Sequence, residues 1–213
     1  MEIPRFLPLS AVLIMAIMTF YVTPTNACMC MPEHPQQHYC RADYVALVRV
    51  MRKSTKLVEG KVVYKVEVKK SYKMTPEGQQ TLKHGRIMTS GHDSLCGGFD
   101  LQLGRLYVIA SRGPQLNMCH YAKEYKKMSI IERTGFTGAY KKGCGCEISF
   151  CRGNRCPATD DNSCSWSPFA RCETDYSACM PIRNHRSPFT TTDPSIKCRW
   201  RRTVAYDECK MSP

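Results

Sequence analysis

The sequence lacks the short motifs that mark several large classes of hydrolase. It contains no H-E-x-x-H pair of zinc ligands and no G-x-S-x-G nucleophile elbow. It also has no N-x-[ST] site for N-glycosylation. The six histidines are scattered without the spacing of metal ligands, at His34, His38, His84, His92, His120 and His185. The missing catalytic motifs and the scattered histidines argue against an enzyme, and N-glycosylation is not expected.

Long apolar runs are also scarce, and the most prominent one lies at the N-terminus. Arg5 precedes an apolar core at residues 11–18, and small residues occupy 25–27, which is typical of a secretory signal. The alternative is a membrane anchor, but this region falls short of the roughly 20 apolar residues of a spanning helix, and it is interrupted at Pro8, Ser10 and Thr19. We expect residues 1–27 to be a cleaved signal peptide and Cys28 to begin a secreted, extracellular chain without a membrane span.

Acidic residues are few. The sequence has 18 Asp and Glu and 31 Lys and Arg, which gives a net charge of +13. In a secreted protein the expected polyanion is a sulfated glycosaminoglycan of the extracellular matrix, attracted by long-range electrostatics. Nucleic acid is not expected as a partner. A solvated basic surface without a dedicated partner is the other interpretation that the charge allows.

Cysteine, in contrast, is abundant, and all 14 cysteines follow residue 27. An even, high count in an exported chain predicts a disulfide framework. Zinc binding by thiolates at the C-x-C pairs Cys28-Met29-Cys30 and Cys144-Gly145-Cys146 is less favoured, since structural zinc sites use wider spacing. Six cysteines fall at 28–144 and eight at 145–213. A cut after Cys144 therefore leaves each part able to close its own bridges.

Residues 28–144 contain several short strand patterns. Residues 43–52 are rich in β-branched and aromatic side chains, and 61–69 alternate apolar and mostly basic residues with a period of two. Further strands are predicted at 85–89 and 105–110, with turns at 75–78, 96–98 and 112–114. A helix is predicted at about 122–133. This spacing predicts a small antiparallel barrel.

Residues 145–213 are too few for a large hydrophobic core, so cross-links are expected to stabilise them. The only two tryptophans, Trp166 and Trp200, lie near Cys164 and Cys198. We predict that they supply much of the small core of this part.

The cysteine ladder and its flanking motifs resemble the tissue inhibitors of metalloproteinases. The resemblance covers essentially all of residues 28–213. It rests on Cys28-Met29-Cys30-Met31-Pro32, His34-Pro35-Gln36, Cys40, Asp93-Ser94-Leu95-Cys96, Cys119, Gly135-Phe136-Thr137, Gly143-Cys144-Gly145-Cys146, Cys151 and Cys156. A single C-x-C would be weak evidence for this family. An N-terminal C-x-C-x-P combined with the full cysteine pattern is a specific signal.

The resemblance implies a mostly β fold. Residues 28–144 would form a five-stranded, OB-type (netrin-like) barrel with flanking helices, and residues 145–213 a small disulfide-rich β domain. It also implies the bridges Cys28–Cys96, Cys30–Cys119, Cys40–Cys144, Cys146–Cys198, Cys151–Cys156 and Cys164–Cys179. Cys172 and Cys209 exceed the family's usual twelve cysteines. We predict that these two pair with each other, the alternatives being free thiols or an intermolecular bridge.

The function implied is inhibition of zinc metalloproteinases, both matrix and membrane-anchored, by a monomer with no cofactor of its own. The α-amine and carbonyl oxygen of Cys28 would chelate the protease's catalytic zinc, which keeps a coordination position open for water or substrate. A free α-amine has a pKa of about 7.7–8.0, so a useful fraction is neutral and able to donate its lone pair.

The residues implied to enter the protease cleft form two segments, 28–32 and 93–96. The contacts are assigned to Cys28, Met29, Cys30, Met31, Pro32, Asp93, Ser94 and Leu95. Met29 stands where the family commonly has Thr or Ser, and we expect it to favour proteases with deep apolar pockets. The alternative function is a netrin-like module that binds matrix or a receptor, with inhibition secondary.

Overall fold

A computed structural model of the chain describes residues 30–91, 97–152, 156, 161–182 and 197–212. Its largest element is a six-stranded sheet in the order β5-β3-β2-β1-β4-β6. The strands are β1 (Tyr44–Lys53), β2 (Lys61–Met74), β3 (Arg86–Ser90), β4 (Leu106–Ser111), β5 (Gln115–Leu116) and β6 (Tyr121–Glu124). All neighbouring pairs are antiparallel except β3 with β5. The predicted β fold is confirmed, with the two-residue β5 as an additional strand.

The sheet curls into a half-barrel. The edge strands β5 and β6 are joined only by residues 117–120, and a chain advances at most about 3.6 Å per residue. The two edges must therefore lie close together. The concave face encloses a core led by Tyr44, Tyr64, Ile87, Ile109 and Leu116, each at most 1% exposed.

The predicted strands at 43–52, 61–69, 85–89 and 105–110 are confirmed within about one residue at their starts, and β2 extends five residues beyond the predicted end, to Met74. Alternation of buried and exposed side chains explains why these residues form β2. Tyr64 and Val66 are buried, while Lys65 and Glu67 are exposed. The turn predicted at 75–78 is wrong. Thr75 accepts a hydrogen bond from the Gly78 amide and Pro76 follows it, so a helix, α2 (Pro76–Leu82), begins there.

Helices cover one end of the convex face of the sheet. They are α1 (Pro35–Arg41) and a segment made of α3 (Ile130–Thr134), a π-helical turn (Gly135–Ala139) and α4 (Tyr140–Lys142). Val108 and Ala110 of β4 pack there against Tyr39, Phe136 and Tyr140. This second core fixes α1, and with it the chain that precedes α1, against the sheet.

The helix predicted at 122–133 is wrong for its first half. Residues 121–124 form β6, which pairs with β4, and a 3-10 turn (Tyr125–Lys127) follows it. The helix α3 begins only where the Ser129 side chain accepts the Glu132 amide. Pairing with the sheet edge therefore prevails over the charged composition of this segment.

The C-terminal residues form short strands held by bridges. The strands β7 (Glu147–Phe150) and β8 (Ser163–Trp166) pair in parallel, and β9 (Cys179–Pro181) pairs with β10 (Cys198–Trp200). The described residues of this part also form two helices, α5 (Arg171–Tyr176) and α6 (Val204–Met211). Trp166 and Trp200 lie in its core, as predicted. The predicted boundary after Cys144 falls between α4 and β7 and stays a prediction.

Twelve cysteines in the described residues form six disulfides. The pairs are Cys30–Cys119, Cys40–Cys144, Cys146–Cys198, Cys151–Cys156, Cys164–Cys179 and Cys172–Cys209. The first five are pairs that the family resemblance implies. The sixth joins α5 to α6, so the two cysteines beyond the family's usual twelve tie the C-terminal helix down.

A buried carboxylate connects β6 to the helices. Glu132 is 1% exposed and accepts hydrogen bonds from the Tyr121 hydroxyl at 2.6 Å and from Lys123 Nζ at 2.8 Å. Lys123 Nζ also lies 3.8 Å from Asp175 Oδ1 of α5. Lys123 thus neutralises a charge that the protein holds away from water, where an unpaired carboxylate is costly.

We predict that Lys123→Met lowers the free energy of unfolding by about 2 kcal/mol, below the usual cost of breaking a fully buried pair because Lys123 is partly exposed. Urea unfolding measures the change. The control is Lys127→Met, whose Nζ lies 3.7 Å from Glu124 and whose side chain is 76% exposed; it should cost less than about 0.5 kcal/mol. Equal losses in the two variants would show that Glu132 does not depend on Lys123.

Candidate functional site

The first predicted contact segment is described from Cys30 onward. Met31 is 64% exposed and Pro32 is also exposed. Cys28, Met29, Asp93, Ser94 and Leu95 lie outside the described residues, as does the predicted Cys28–Cys96 bridge. Their roles therefore stay predictions, and the described residues show what holds the chain on either side of them.

A disulfide from Cys30 to Cys119 fixes the first segment to the connection between β5 and β6, with the two Cα atoms 5.3 Å apart. Two exposed methionines flank this bridge, Met31 next to Cys30 and Met118 next to Cys119, the latter 56% exposed. Sequence reasoning did not select Met118. The Cys30–Cys119 pairing was the available signal, because it places residue 118 beside the predicted contact edge.

The second predicted contact segment, 93–96, is anchored at both ends by glycines. A Cβ on Gly98 would lie 2.5 Å from the carbonyl oxygen of Ser90. The chain that leaves β3 at Ser90 therefore returns in contact with it at Gly98. Only glycine permits this approach, and the segment between these residues starts and ends at one place on the sheet edge.

The β1–β2 hairpin supports the start of that segment. Its two-residue turn places Glu59 and Gly60 at φ 52° and 71°. The Gly91 amide donates a 3.0 Å hydrogen bond to the Gly60 carbonyl, and a Cβ on Gly91 would lie 2.4 Å from Leu57 Cδ2. The tip of the hairpin therefore packs on Gly91, the residue that leads into 93–96, and this contact was not predicted from the sequence.

Gln36 clamps the other end of the first segment. Its side-chain amide donates to the carbonyls of Gly143 at 2.8 Å and Cys179 at 2.9 Å, and its oxygen accepts the Cys179 amide at 2.9 Å. Gln36 is 1% exposed, so these bonds satisfy it fully where water is absent. The first turn of α1 is thereby attached to the C-terminal part of the chain.

His34 completes this attachment. Its Nδ1 accepts the Gln36 amide at the start of α1, so the neutral ring carries its proton on Nε2, which donates to the Glu173 carbonyl at 3.1 Å. The rings of Trp166, Trp200 and Tyr140 pack around it. Burial lowers the pKa of His34 to about 4, with a smaller effect from His38.

Among the described residues, no group of three or more His, Cys, Asp or Glu side chains is arranged to hold a metal ion. None of the helices in the described ranges is long and apolar enough to cross a membrane. The described part of the site is an edge attached by a disulfide, and it exposes the apolar side chains of Met31 and Met118.

We predict that acid destabilises the fold through His34. The folded-state pKa lies below the ordinary value of 6.5, so the unfolded chain binds the proton more readily. The contribution of neutral His34 to the free energy of unfolding is complete above about pH 6.5 and is lost as the pH falls toward 4. Between about pH 7.5 and about pH 5 the loss is on the order of 2 kcal/mol.

Urea unfolding of the wild type and of His34→Gln at both pH values measures this loss. The variant should show a shallower decrease in the free energy of unfolding, because glutamine does not titrate. The control is His84→Gln, at an exposed position, which should retain the wild-type pH dependence. A His34→Gln variant with the wild-type pH dependence would contradict the assignment.

Comparison with known proteins agrees with this geometry. A family model described as tissue inhibitor of metalloproteinase matches residues 26–200. The chain is 44% identical over 215 residues to the tissue inhibitor of metalloproteinase of Drosophila melanogaster, with 100% of each chain covered. It is 32% identical over 152 residues to metalloproteinase inhibitor 3 of Gallus gallus, covering 67% of this chain and 68% of that protein. It is 29% identical over 160 residues to metalloproteinase inhibitor 2 of the same species, covering 69% and 71%. The chain therefore belongs to the tissue inhibitor of metalloproteinase family.

Proposed function

We propose that this chain is a secreted inhibitor of zinc metalloproteinases and that Cys28, exposed by signal cleavage, binds the protease's catalytic zinc through its α-amine and carbonyl oxygen. The observation that carries the proposal is the family match over residues 26–200 in a chain whose Cys30 is bridged to the sheet edge. The family consists of inhibitors and not enzymes. The zinc belongs to the protease.

The attachment of the chain directly after Cys28 supports this mechanism. Cys28 is two residues from Cys30, so its Cα must lie within about 7 Å of that of Cys30. Cys30 is fixed by its bridge, and α1 is fixed five residues later by His34 and Gln36. A chain end that is already ordered loses less conformational entropy when it docks, which favours tight binding.

The cleft would be filled by residues 28–32 and 93–96, with Met118 as an additional apolar contact beside Met31. Met29 would enter the pocket that takes the substrate side chain after the scissile bond. Its long, flexible and apolar side chain should favour proteases in which this pocket is deep.

We predict that one extra alanine before Cys28 weakens inhibition of a metalloproteinase catalytic domain at least about 100-fold, equivalent to about 2.7 kcal/mol. The added peptide bond converts the α-amine into an amide, whose nitrogen is not a donor to zinc. Inhibition constants for the extended and the native-terminus proteins measure the effect. Mass spectrometry first establishes the terminus of each.

The control for the extension is the fold. Both proteins should have the same non-reducing disulfide map and the same urea unfolding midpoint, because the addition lies outside every described element. Equal inhibition by the two proteins would exclude the main-chain chelate.

A second candidate function, binding to sulfated polysaccharide, rests on one row of the sheet. Arg52 of β1 faces Lys65 of β2, which faces Arg86 of β3, and all three side chains are exposed. They lie on the convex face, opposite the buried Tyr64, Val66 and Ile87. We call this set the cation row.

The cation row carries an unfavourable charge arrangement. Like charges directly opposite one another destabilise a sheet, and within the described residues no carboxylate forms an ion pair with any of the three. Lys65 Nζ donates only to the His84 carbonyl. A linear polyanion laid across the strands would relieve the repulsion and bind through all three charges.

We predict that the triple variant Arg52→Gln, Lys65→Gln, Arg86→Gln elutes from a heparin column at a clearly lower salt concentration than the wild type. The control triple variant Lys126→Gln, Lys141→Gln, Lys142→Gln removes the same charge from exposed positions elsewhere. Screening shortens electrostatic attraction to about 3 Å at 1 M salt, so elution salt reports local charge density. Equal shifts in the two variants would assign heparin retention to net charge alone.

A further inference from the structure

A hollow of about 220 Å³ lies beside the Cys30–Cys119 bridge. Its floor is the end of β4, and Cys119 forms part of its wall. The other wall side chains are mostly basic, and we call the site they form the basic hollow, which comprises Glu33, His38, Arg41, Arg112 and His120.

The fixed charges of the basic hollow do not cancel. Arg41 Nη1 pairs with Glu33, and His38 Nδ1 lies 3.7 Å from the same carboxylate. Arg112 donates from Nε to the Arg41 carbonyl at 3.0 Å, which orients its guanidinium. In the described part of the chain no carboxylate lies within ion-pair distance of Arg112. With both imidazoles neutral, one uncompensated positive charge remains, and Arg112 carries it.

The two histidines add imidazole rings to the wall of the basic hollow. His120 Nδ1 accepts the Asn117 amide at 3.2 Å, so the neutral ring carries its proton on Nε2. Burial, with added effects of His120 and Arg41, lowers the pKa of His38 to about 4, and burial and Arg112 lower the pKa of His120. Both rings are therefore neutral at physiological pH and responsive to an anion placed beside them.

We propose that the basic hollow binds a carboxylate side chain at the rim of the target protease's cleft, with Arg112 as the principal ligand. The proposal rests on the proposed function. A protein seated on the edge formed by Met31, Met118 and the Cys30–Cys119 bridge would lie beside the hollow, because Cys119 also lines it. The described residues form no hydrogen bond with the Nη groups of Arg112, and the two Nη groups of an arginine match a carboxylate in a bidentate pair.

Such a contact would select among proteases. The proposed zinc chelate uses main-chain atoms and would be the same for every target, whereas an acidic group at one place on the cleft rim would be present only in some targets. Charge complementarity at an interface rim acts mainly on specificity and on the association rate. Arg112 would then distinguish proteases that the zinc chelate treats alike.

The test compares Arg112→Gln with Arg199→Gln. Arg199 is an exposed residue of β10, and its substitution removes the same charge. Inhibition constants are measured against a panel of metalloproteinase catalytic domains at low and high salt. We expect Arg112→Gln to weaken inhibition about 10-fold for the domains that carry an acidic residue at the rim, as for a charge-assisted hydrogen bond. Arg199→Gln should leave all inhibition constants unchanged.

A second measurement tests whether the basic hollow of the free protein binds a carboxylate, with acetate as the probe. Acetate should shift the imidazole NMR resonances of His38 and His120 and raise the pKa of His120, because a carboxylate favours the charged ring. Arg112→Gln should remove both effects, and Arg199→Gln should retain them.

Three results would overturn the proposal. The first is a wild type that inhibits the panel while Arg112→Gln inhibits every member equally well. The second is a loss of heparin retention in Arg112→Gln with inhibition intact, which would assign the hollow to a polysaccharide. The third is a wild type that inhibits no protease, which would also contradict the proposed function. The acetate titration then shows separately whether the hollow binds a carboxylate.

Discussion

The covalent attachment of Cys30 to Cys119 is the constraint on which the functional edge depends. It joins the start of the described chain to the four-residue connection between the two edge strands of the sheet. That connection is available only because the sheet curls until β5 and β6 approach each other. The bridge therefore fixes the position of the residues beside it, among them the exposed Met31 and Met118.

Buried polar contacts fix the same segment from its other side. His34 and Gln36 are almost fully buried, and each of their hydrogen bonds crosses to residues more than 100 positions away or caps α1. Leaving such buried groups unpaired would cost free energy. Their hydrogen bonds therefore fix the position of α1 relative to the C-terminal part of the chain. The C-terminal part thus contributes to the position of the N-terminal segment, although it contains none of the predicted contact residues.

Much of the fold was predictable from the sequence because the strands obey a simple period. The alternation around Tyr64 and Val66 requires one buried face, and the resemblance supplied disulfide pairs that spacing alone leaves open. The residues around Glu132 were not predictable. Their charged composition favours a helix, and only the pairing of β6 with β4 explains why Tyr121 and Lys123 reach one carboxylate. The basic hollow was not predictable for a related reason, since its residues come from three separate stretches of the chain, at 33–41, 112 and 120.

The central claim is that main-chain atoms of Cys28 occupy the zinc of a bound protease. A crystal structure of this protein with a metalloproteinase catalytic domain tests it most directly. The account predicts that the α-amine nitrogen and the carbonyl oxygen of Cys28 both lie about 2.0–2.2 Å from the zinc, with no water in that position. A complex in which the zinc retains its water and Cys28 lies outside the cleft would contradict it.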